Sequence, residues 1–465
     1  MKRLAQIAAL VVVALLFSCS DKENLPPLEP IYTPRYAKGF TIERDPQSGA
    51  KYLIVRNPWQ GAEGVLFCSQ IDTLNPPKRI VTMSSSHAAM LDAVGCANRI
   101  VGLSGCRYIY TPSIRQVIER GEISEVGYDS AFDFERVCQL KTDLVLLYGV
   151  AGEAKRITNK LEELGIPYIY IGEYLEAEPL GKAEWIVAIA SLCGVEERGQ
   201  EFFDAVAERY NTLRKQNESL TSRPRVMLNL PYRDTWFMPP HNSYMVRLIE
   251  DAGGEYILTE NGTDARSKSR GCLQTMPCKK EEKPAQAGLK RKTENGTDAA
   301  EREQRELARF AEPQGRKACV AGLKRKTENG TDARSKSRGC LHTMPRCEGG
   351  KACEAGLKRR TENGNTSTAI SLEEALELAL QCDFWINLGQ FNSKQELRTV
   401  APHFAEVDAV RHNRLYNNTK RTNESRGSDF WESGAIRPDL ILADLVKILH
   451  HRLPTDSLYY YKRLE

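Results

Sequence analysis

Six aromatic or cationic residues stand at or near the ends of predicted strands, where a ligand could contact them. These residues are Tyr148, Tyr232, Arg233, Trp236, Phe430 and Trp431. Aromatic rings form flat apolar walls that suit large planar molecules, whereas guanidinium groups suit anionic ones. Burial in the core is the alternative for each ring, because aromatic side chains are common core residues. The chemistry that these residues favour is binding, and we predict that they line a ligand site.

The common motifs of catalysis are missing from the sequence. It contains no Gly-x-Ser-x-Gly turn, no Walker phosphate-binding loop and no His-Glu-x-x-His motif. The seven histidines show no spacing typical of a metal cluster. We therefore expect no enzymatic activity, no cofactor and no metal site. Direct binding of a bare metal ion is a weaker alternative.

The 13 cysteines fall into three groups. Six lie between residues 259 and 360, where a zinc site with His342 is conceivable, but their spacings are wide and contain no Cys-x-x-Cys pair. Six others, several of them within apolar helix or strand patterns, are expected to be buried thiols rather than a disulfide framework: Cys68, Cys96, Cys106, Cys138, Cys193 and Cys382. The last is Cys19.

The N-terminus has the layout of an export signal. Met1-Lys2-Arg3 is followed by an apolar run from Leu4 to Phe17, which is too short to span a bilayer. The run ends at Ser18-Cys19, and this segment resembles a bacterial lipobox, in which the cysteine receives lipid. Residues 1–18 are thus predicted to be a lipoprotein signal peptide and Cys19 to carry the anchor. An ordinary cleaved signal peptide is the alternative. Either way we expect the protein to work outside the cytoplasm, in the periplasm or at the cell surface.

Composition separates a globular chain from an unusual internal block. With 465 residues, 41% of them hydrophobic, the chain is too apolar to be wholly disordered, and its net charge of +4 does not indicate a dedicated nucleic-acid binder. The phrase Thr-Glu-Asn-Gly begins at Thr259, Thr293, Thr327 and Thr361, a spacing of 34 residues. A helical solenoid would need an apolar stripe that these basic repeats lack. We predict that residues 259–360 are a disordered insertion.

Short apolar strands alternate with helical segments on both sides of this block. The first series has strands at Arg79–Met83, Ile100–Leu103, Asp143–Tyr148 and Ile166–Ile171. A helical region runs from Pro179 to Gln216 with a break near Gly194, and a second series begins at Arg225. This pattern predicts an α/β fold of two Rossmann-like lobes with mostly parallel sheets, joined by a long backbone helix, with a ligand cleft between the lobes.

The predicted layout covers the whole chain. It comprises a signal peptide (1–18), a linker with a β-hairpin (19–75), an N-terminal α/β lobe (76–178), a connecting helical region (179–222), a C-terminal α/β lobe in two parts (223–258 and 361–456), the repeats between those parts (259–360), and a tail (457–465).

Several phrases, taken in order, resemble the class III substrate-binding proteins of ABC importers, the group that handles iron chelates, haem and vitamin B12. The phrases are Arg79–His87, Ala93–Gly102, Phe132–Leu146, Leu161–Pro167, Pro179–Trp185, Asp251–Gly254 and Arg437–Leu445. The resemblance implies a monomer that captures an iron chelate, haem or a corrinoid in its cleft and delivers it to permease subunits. The repeated block departs from the family pattern.

The resemblance also implies roles for individual residues. One glutamate in each lobe would dock onto the permease, here Glu135 and Glu373, although both also suit a helix N-terminus. Ser85 and His87 follow the first strand, where the family places ligand contacts, although this loop also caps a helix. A surface lipoprotein that binds such a ligand, or a host factor, without a dedicated permease is the alternative function.

Overall fold

The computed structural model describes residues 27–149, 153–231, 235–257, 359–360, 366–389, 391, 393–450 and 457–465. The predicted signal peptide, Cys19, Tyr232 and Arg233 lie outside the described residues, as do residues 259–358 of the block that is predicted to be disordered. Within the described part of the chain, no helix combines the length and apolar character needed to cross a membrane.

A four-stranded antiparallel sheet occupies the region predicted as a linker with a hairpin. Its strands are β1 (Glu29–Tyr32), β2 (Phe40–Arg44), β3 (Lys51–Arg56) and β4 (Leu66–Ile71), in that order. The predicted hairpin is the β2–β3 pair. Phe40 and Phe67 are buried. Phe40 packs on Trp185 of the connecting helical region and Phe67 on Tyr170 of the N-terminal lobe, with ring centroids 4.8 and 5.2 Å apart. The sheet is therefore part of the core rather than a linker.

Glu184 fixes the segment between β1 and β2. Its fully buried carboxylate accepts hydrogen bonds from the Tyr32 hydroxyl at 2.9 Å and from the backbone nitrogens of Arg35, Tyr36 and Ala37 at 2.8 Å each. A buried carboxylate needs such partners, because its desolvation is costly. The N-terminal sheet is thereby held to the connecting helices.

The N-terminal lobe is built on a five-stranded parallel sheet in the order β7-β6-β5-β8-β9. Its strands are β5 (Ile80–Thr82), β6 (Ile100–Leu103), β7 (Ser124–Glu125), β8 (Leu144–Leu147) and β9 (Tyr168–Tyr170), and its helices are α1 (Ser85–Ala93), α2 (Pro112–Glu119), α3 (Phe134–Gln139) and α4 (Glu153–Glu163). All four predicted strands are present. From β5 the chain adds β6 and β7 on one side of the sheet and then β8 and β9 on the other side. The carboxyl ends of strands at such a switch point are a common place for ligands.

Two helices connect the lobes. Helix α5 (Pro179–Leu192) is buried on all sides, and α6 (Glu196–Glu218) extends about 34 Å. The predicted break is confirmed at Gly194, whose φ of 67° favours glycine. Gly199 allows the two helices to meet closely, since a Cβ there would lie 2.4 Å from the Ala190 Cβ.

The C-terminal lobe contains a second five-stranded sheet, ordered β12-β10-β15-β16-β17, in which only β17 is antiparallel. Three strands, β11, β14 and β13, form a separate antiparallel sheet. The elements are β10 (Arg225–Leu228), β11 (Thr235–Met238), α7 (Tyr244–Asp251), β12 (Glu255–Tyr256), β13 (Arg359–Arg360), β14 (Thr366–Ser371), α8 (Leu372–Ala379), β15 (Phe384–Ile386), α9 (Lys394–Val400), α10 (Asp408–Arg411), β16 (Leu415–Asn417), α11 (Pro438–His450) and β17 (Lys462–Arg463). The predicted fold class of two α/β lobes is confirmed.

The final segment is not a free tail. Strand β17 extends the second sheet beside β16, and Tyr460 and Tyr461 are fully buried. The Asp444 carboxylate on α11 accepts hydrogen bonds from the backbone nitrogens of Tyr459 and Tyr460 at 2.7 Å and of Tyr461 at 3.2 Å. The apolar aromatic residues of this segment explain why it packs against the lobe.

Candidate ligand-binding site

Four tyrosines lie on the segments that follow four of the five strands of the N-terminal lobe. Tyr108 follows β6, Tyr128 follows β7, Tyr148 follows β8 and Tyr174 follows β9. Because these strands are parallel, their carboxyl ends meet at one edge of the sheet. We call these four residues the tyrosine edge. Only Tyr148 was predicted, and the signal for the others was their position three to five residues after a strand.

Neighbouring members of the tyrosine edge are linked by contacts. The Tyr148 hydroxyl donates to Asp129 Oδ2 at 2.7 Å, and the Tyr148 and Tyr174 rings meet edge to face at 6.4 Å. The Tyr174 hydroxyl donates to the carbonyl oxygen of Gly149. Tyr128 and Tyr174 are 43% and 37% exposed, so both rings offer surface to a ligand. Burial of its hydroxyl raises the pKa of Tyr174 to about 12, which keeps this group protonated at neutral pH.

Arg107 adds a positive charge to the tyrosine edge. Its guanidinium lies 4.6 Å from the centroid of the Tyr108 ring, and Nη2 donates to the Tyr108 hydroxyl at 2.5 Å. The electrostatic effects of Tyr108 and Tyr128 raise the pKa of Arg107 above its ordinary value. Its side chain is exposed. An exposed arginine among aromatic rings can bind a planar anion through charge and stacking together.

The N-terminal sheet contributes a wall on one side of this edge. Trp59, in the loop between β3 and β4, forms an isolated bridge with Gly149 and packs against Tyr170 with ring centroids 5.3 Å apart. A Cβ on Gly149 would lie 2.4 Å from the Trp59 Cβ, so only glycine allows this approach. No sequence motif marks this loop as part of a site.

The two lobes touch at the segment that follows β6. Asn423 Nδ2 donates to the carbonyl oxygens of Arg107 and Ile109, at 3.0 Å each. The Glu432 carboxylate accepts from the backbone nitrogens of Tyr110 and Thr111, at 2.8 and 3.0 Å. These contacts join the segment that carries Tyr108 to the C-terminal lobe.

A cation from the C-terminal lobe reinforces this junction. The Arg421 guanidinium lies 4.9 Å from the Tyr110 ring centroid and 4.3 Å from that of Tyr459, and it pairs with Asp429 at 2.6 Å. Asp429 is 3% exposed at its side chain, so the ion pair is largely shielded from water. A shielded, stacked arginine holds its position better than an exposed one.

Phe430 and Trp431 lie beside this junction but differ in exposure. Phe430 is 2% exposed and packs edge to face on Tyr460 and Tyr461. Trp431 is 56% exposed, and its ring contacts Phe430 at 4.9 Å. Because the next residue, Glu432, is bonded to the N-terminal lobe, Trp431 lies at the meeting point of the lobes with a free aromatic surface. Phe430 supports it from the core.

Trp236 is a core residue of the C-terminal lobe in this structure. It is completely buried, stacks on Trp385 with centroids 5.5 Å apart, and donates from Nε1 to the carbonyl oxygen of Leu228 at 3.1 Å. Its ring has no exposed surface for a ligand. The predicted contact of Trp236 with ligand remains a prediction without structural support.

The segment after β5 caps a helix and leads into a buried polar cluster. The Ser84 hydroxyl accepts from the backbone nitrogen of Ser86, which places half-buried Ser85 at the first position of α1. His87 is fully buried, and its Nε2 lies 3.2 Å from Glu173 Oε2. Ser86 Oγ donates to Glu173 Oε1 at 2.5 Å. His87 thus lies below the surface, where direct contact with a ligand would require rearrangement.

Glu173 is the charged centre of this cluster. Burial alone would raise its pKa, but the charge and hydrogen bond of His87, the charge of Lys182 and the hydrogen bond of Ser86 lower the pKa to about 2. Lys182 extends toward the C-terminal lobe, with Nζ 5.2 Å from the Tyr244 ring centroid. The cluster therefore links α1, the segment after β9 and the connecting helix α5.

The two glutamates predicted to dock onto a permease are both exposed. Glu135 lies in the first turn of α3 and accepts a hydrogen bond from Gln139 at 3.1 Å. Glu373 lies in the first turn of α8, whereas its neighbour Glu374 forms a capping box with Ser371. The capping box engages the Glu374 side chain within the chain. Glu373 is therefore better placed than Glu374 to bind an external partner.

A groove of about 520 Å³ adjoins the loop after β9. It is lined by Lys38, Gly39, Arg56, Asn57, Glu63, Gly172, Leu175, Glu176, Ala177, Glu178, Trp185, Asn242 and Arg247. Arg247 pairs with Glu178 at 3.1 Å, and Glu176 accepts from the backbone nitrogens of Lys38 and Gly39. The lining charges are balanced and largely paired, so the groove favours neither anions nor cations. Among the residues that the structure describes, no three His, Cys, Asp or Glu side chains are gathered as metal ligands.

Comparison with known proteins identifies relatives of the chain. The family model for periplasmic binding proteins matches residues 80–275. An uncharacterised lipoprotein of Methanocaldococcus jannaschii is 29% identical over 199 residues, which are 40% of this chain and 47% of the relative. The chain spans about half the length of the curated relatives it matches first. The resemblance to substrate-binding proteins predicted from the sequence is confirmed.

Two solved structures align with this chain at low identity. A periplasmic haem-binding protein from Pseudomonas aeruginosa aligns with a TM-score of 0.47 and 13% identity, covering 84% of this chain and 98% of the other. The periplasmic vitamin B12 binding protein of Vibrio cholerae aligns with a TM-score of 0.42 and 13% identity, covering 81% and 98%.

Proposed function

We propose that this relative of the periplasmic binding proteins is a lipid-anchored, extracytoplasmic protein that captures an iron complex, haem or cobalamin and delivers it to an ABC importer. The observation that carries the proposal is the tyrosine edge with Arg107, which lies beside the junction of two α/β lobes where Trp431 is exposed. Concave sites between lobes with aromatic walls and a few polar groups are typical of ligand-binding proteins.

The chemistry of the site supports a large, flat or anionic ligand. Partly exposed tyrosine rings and Trp431 provide stacking surfaces, which suit a porphyrin or corrin ring. Arg107 provides a cation for the carboxylates of haem or for an anionic iron chelate. The predicted ligand residues Tyr232 and Arg233, which follow β10, would add a ring and a charge from the other lobe.

Delivery to a permease is supported by the exposed glutamates. Glu135 and Glu373 belong to different lobes, and both stand in the first turn of a helix with their side chains exposed. Two carboxylates on separate lobes can pair with basic pockets on a transporter and fix the orientation of both lobes. An uptake assay is the appropriate test, because ligand affinity alone does not report docking.

The proposed location follows from the N-terminus. The apolar run that ends at Cys19 resembles a lipobox, and the matched relatives in Methanocaldococcus jannaschii include proteins described as lipoproteins. Lipid on Cys19 would hold the protein to the outer face of a membrane in the periplasm or at the cell surface. Metabolic labelling with a fatty acid should label the wild-type chain and leave Cys19→Ala unlabelled.

Ligand binding is tested with purified protein. An absorbance spectrum of protein isolated from its native host should show the bands of the bound ligand, because haem, corrinoids and ferric chelates absorb differently. Calorimetric titration should give a Kd of about 1 µM or tighter for one of the three ligand classes. This Kd corresponds to a favourable binding free energy of about 8 kcal/mol. Absence of saturable binding to all three classes contradicts the proposal.

A further inference from the structure

The Glu125 carboxylate, at the end of β7, binds backbone nitrogens from two neighbouring segments. Its Oε1 accepts hydrogen bonds from Gly105 at 2.9 Å and from Gly127 at 3.1 Å, and its Oε2 accepts one from Cys106 at 2.8 Å. Cys106 is half-buried, and among the six cysteines predicted to be buried only Cys138 is exposed. Because hydrogen bonds to a carboxylate are stronger than those between neutral groups, Glu125 holds the two segments in a fixed relative position.

These two segments carry one half of the tyrosine edge. Arg107 and Tyr108 follow directly after the first pair of bound nitrogens, and Tyr128 follows directly after the third. We propose that Glu125 is a positioning residue that holds Arg107, Tyr108 and Tyr128 together as one unit, and that this unit selects flat ligands that carry an anionic group. The inference rests on the ligand-capture function proposed above and narrows its ligand class.

Two glycines bring the side chains of this unit together. The φ angles of Gly105 and Gly127 are 79° and 76°, in the left-handed region that favours glycine. A Cβ on Gly105 would lie 3.3 Å from Tyr108 Cδ2 and 3.5 Å from the Tyr128 hydroxyl oxygen. The two tyrosines thus reach the same glycine from different segments, and Glu125 binds the backbone nitrogen of that glycine.

The C-terminal lobe fixes the other side of the segment that carries Arg107. Asn423 Nδ2 donates to the Arg107 carbonyl oxygen at 3.0 Å. Gly427 lies so close to the backbone of Tyr108 that any side chain there would clash with it. Because Glu125 binds the nitrogens of the segment and Asn423 binds its carbonyl oxygens, its backbone is held from both sides and its side chains are presented in one position.

The cation of this unit is available to a ligand. In the part of the chain that the structure describes, no carboxylate lies within ion-pair distance of the Arg107 guanidinium, which stacks 4.6 Å from the centroid of the Tyr108 ring. The Asp129 carboxylate is bound to the Tyr148 hydroxyl, and that of Glu125 to backbone nitrogens. A guanidinium matches both oxygens of a carboxylate, and the adjoining rings suit a flat surface. A flat ligand with a carboxylate fits this unit better than a neutral corrinoid.

Titration with two porphyrins that differ in charge tests the proposal. Haemin carries two carboxylates, and haemin dimethyl ester has the same ring without them. The wild-type chain should bind haemin about tenfold more tightly than the ester, because a site built for a polar group rejects the analogue that lacks it. Glu125→Ala should reduce this preference to about twofold, as should Arg107→Ala, and the double variant should lose no more, since coupled residues are not additive. Ferric citrate and a neutral ferric trihydroxamate form the corresponding pair for iron chelates.

Glu122→Ala is the matched control for these titrations. Glu122 lies three residues before Glu125, is exposed and pairs with Arg120, so its loss should leave the full preference for haemin. Glu125→Gln keeps one acceptor oxygen and should retain an intermediate preference, which a merely destabilised chain would not show. An unchanged preference in Glu125→Ala, or an equal loss of affinity for haemin and its ester, overturns the proposal.

Hydrogen exchange measures the positioning without a ligand. In Glu125→Ala, the backbone amides of Gly105, Cys106 and Gly127 should exchange about tenfold faster than in the wild-type chain, whereas those of β8 should keep their rates. Equal exchange at these three amides in both proteins contradicts the positioning role. A wild-type chain that prefers cobalamin to haemin and ferric citrate overturns the anion selection alone, whereas the absence of binding to all three classes contradicts the proposed function and the inference with it.

Discussion

Glu432 in the C-terminal lobe accepts a hydrogen bond from the backbone nitrogen of Thr111 in the N-terminal lobe at 3.0 Å. Its second carboxylate oxygen accepts from the backbone nitrogen of Tyr110 at 2.8 Å. The residue is 1% exposed, and burial raises its pKa in spite of these hydrogen bonds. A buried carboxylate that bridges two lobes through backbone donors indicates that the lobes hold a defined relative position on this side.

Removal of this bridge should weaken the contact between the lobes. Glu432→Ala leaves two backbone donors without an acceptor, so we expect the free energy of unfolding to fall by about 2 kcal/mol. Urea unfolding followed by tryptophan fluorescence measures the change. Glu424→Ala is the matched control, because Glu424 is exposed on the same segment and should change stability by less than about 0.5 kcal/mol. Equal stability of the two variants would contradict the assigned role.

Trp431 should contribute directly to ligand affinity. Its ring is 56% exposed at the lobe junction, so Trp431→Ala should raise Kd by about tenfold with little loss of stability. Leu380→Ala is the control, since Leu380 is 59% exposed elsewhere in the same lobe. Calorimetric titration with the bound ligand measures both. If the two variants bind alike, Trp431 is not part of the site.

Trp236 should behave in the opposite way. Because its ring is buried between Trp385 and Phe404, Trp236→Ala should lower the free energy of unfolding by about 3 kcal/mol or more. The affinity of the molecules that remain folded should not change. A tenfold loss of affinity at unchanged stability would instead establish the ligand contact predicted from the sequence.

The proposed docking onto a permease should depend on exposed charge. Glu135→Arg combined with Glu373→Arg should leave the Kd for ligand unchanged and abolish uptake into cells, because arginines would then face basic pockets. Glu377→Arg, on the exposed face of the same helix as Glu373, is the control and should preserve uptake. Wild-type uptake by the double variant would exclude the assigned docking residues.

The repeated block is predicted to be dispensable for binding. Lengthening a loop costs only about 0.6 kcal/mol per doubling, so a lobe with its own core tolerates a long insertion. Deletion should end at residue 358, because Arg359 and Arg360 pair with Ser367 and Thr366 in a strand. The variant that lacks residues 259–358 should match the wild-type chain in Kd and Tm. Loss of binding in a folded deletion variant would place part of the site in the block.

Local sequence pattern was sufficient for the lobes but not for the site. Strands such as Leu144–Leu147 are short apolar runs, and the helix break at Gly194 has a local signal, so both were predictable. The contact of Asn423 with Arg107 joins residues 316 positions apart, and no local pattern reports it. Burial of His87 and Trp236 likewise depends on elements distant in sequence, so the local pattern could not distinguish a ligand contact from a core position at either residue.

The buried Glu173–His87 pair should make stability depend on pH in the acid range. The pKa of Glu173 is lowered to about 2 in the folded protein, below its ordinary value of 4.5, because the effects of His87, Lys182 and Ser86 exceed that of burial. The folded state therefore holds this proton less tightly than the unfolded state. The resulting stabilisation is fully present above about pH 4.5 and is lost as the pH falls toward 2, with a size on the order of 3 kcal/mol.

Glu173→Gln isolates this contribution. Glutamine does not titrate, so the variant should be less stable than the wild-type chain at pH 6, and the difference should shrink as the pH approaches 2. Urea unfolding at a series of pH values from 6 to 2 measures both profiles, and subtracting them removes the carboxylates that the two proteins share. Glu119→Gln is the control, since Glu119 is exposed beside Arg115 and its profile should follow that of the wild type. If the stability difference between Glu173→Gln and the wild type is constant across this range, the Glu173 carboxylate does not cause the loss of stability at low pH.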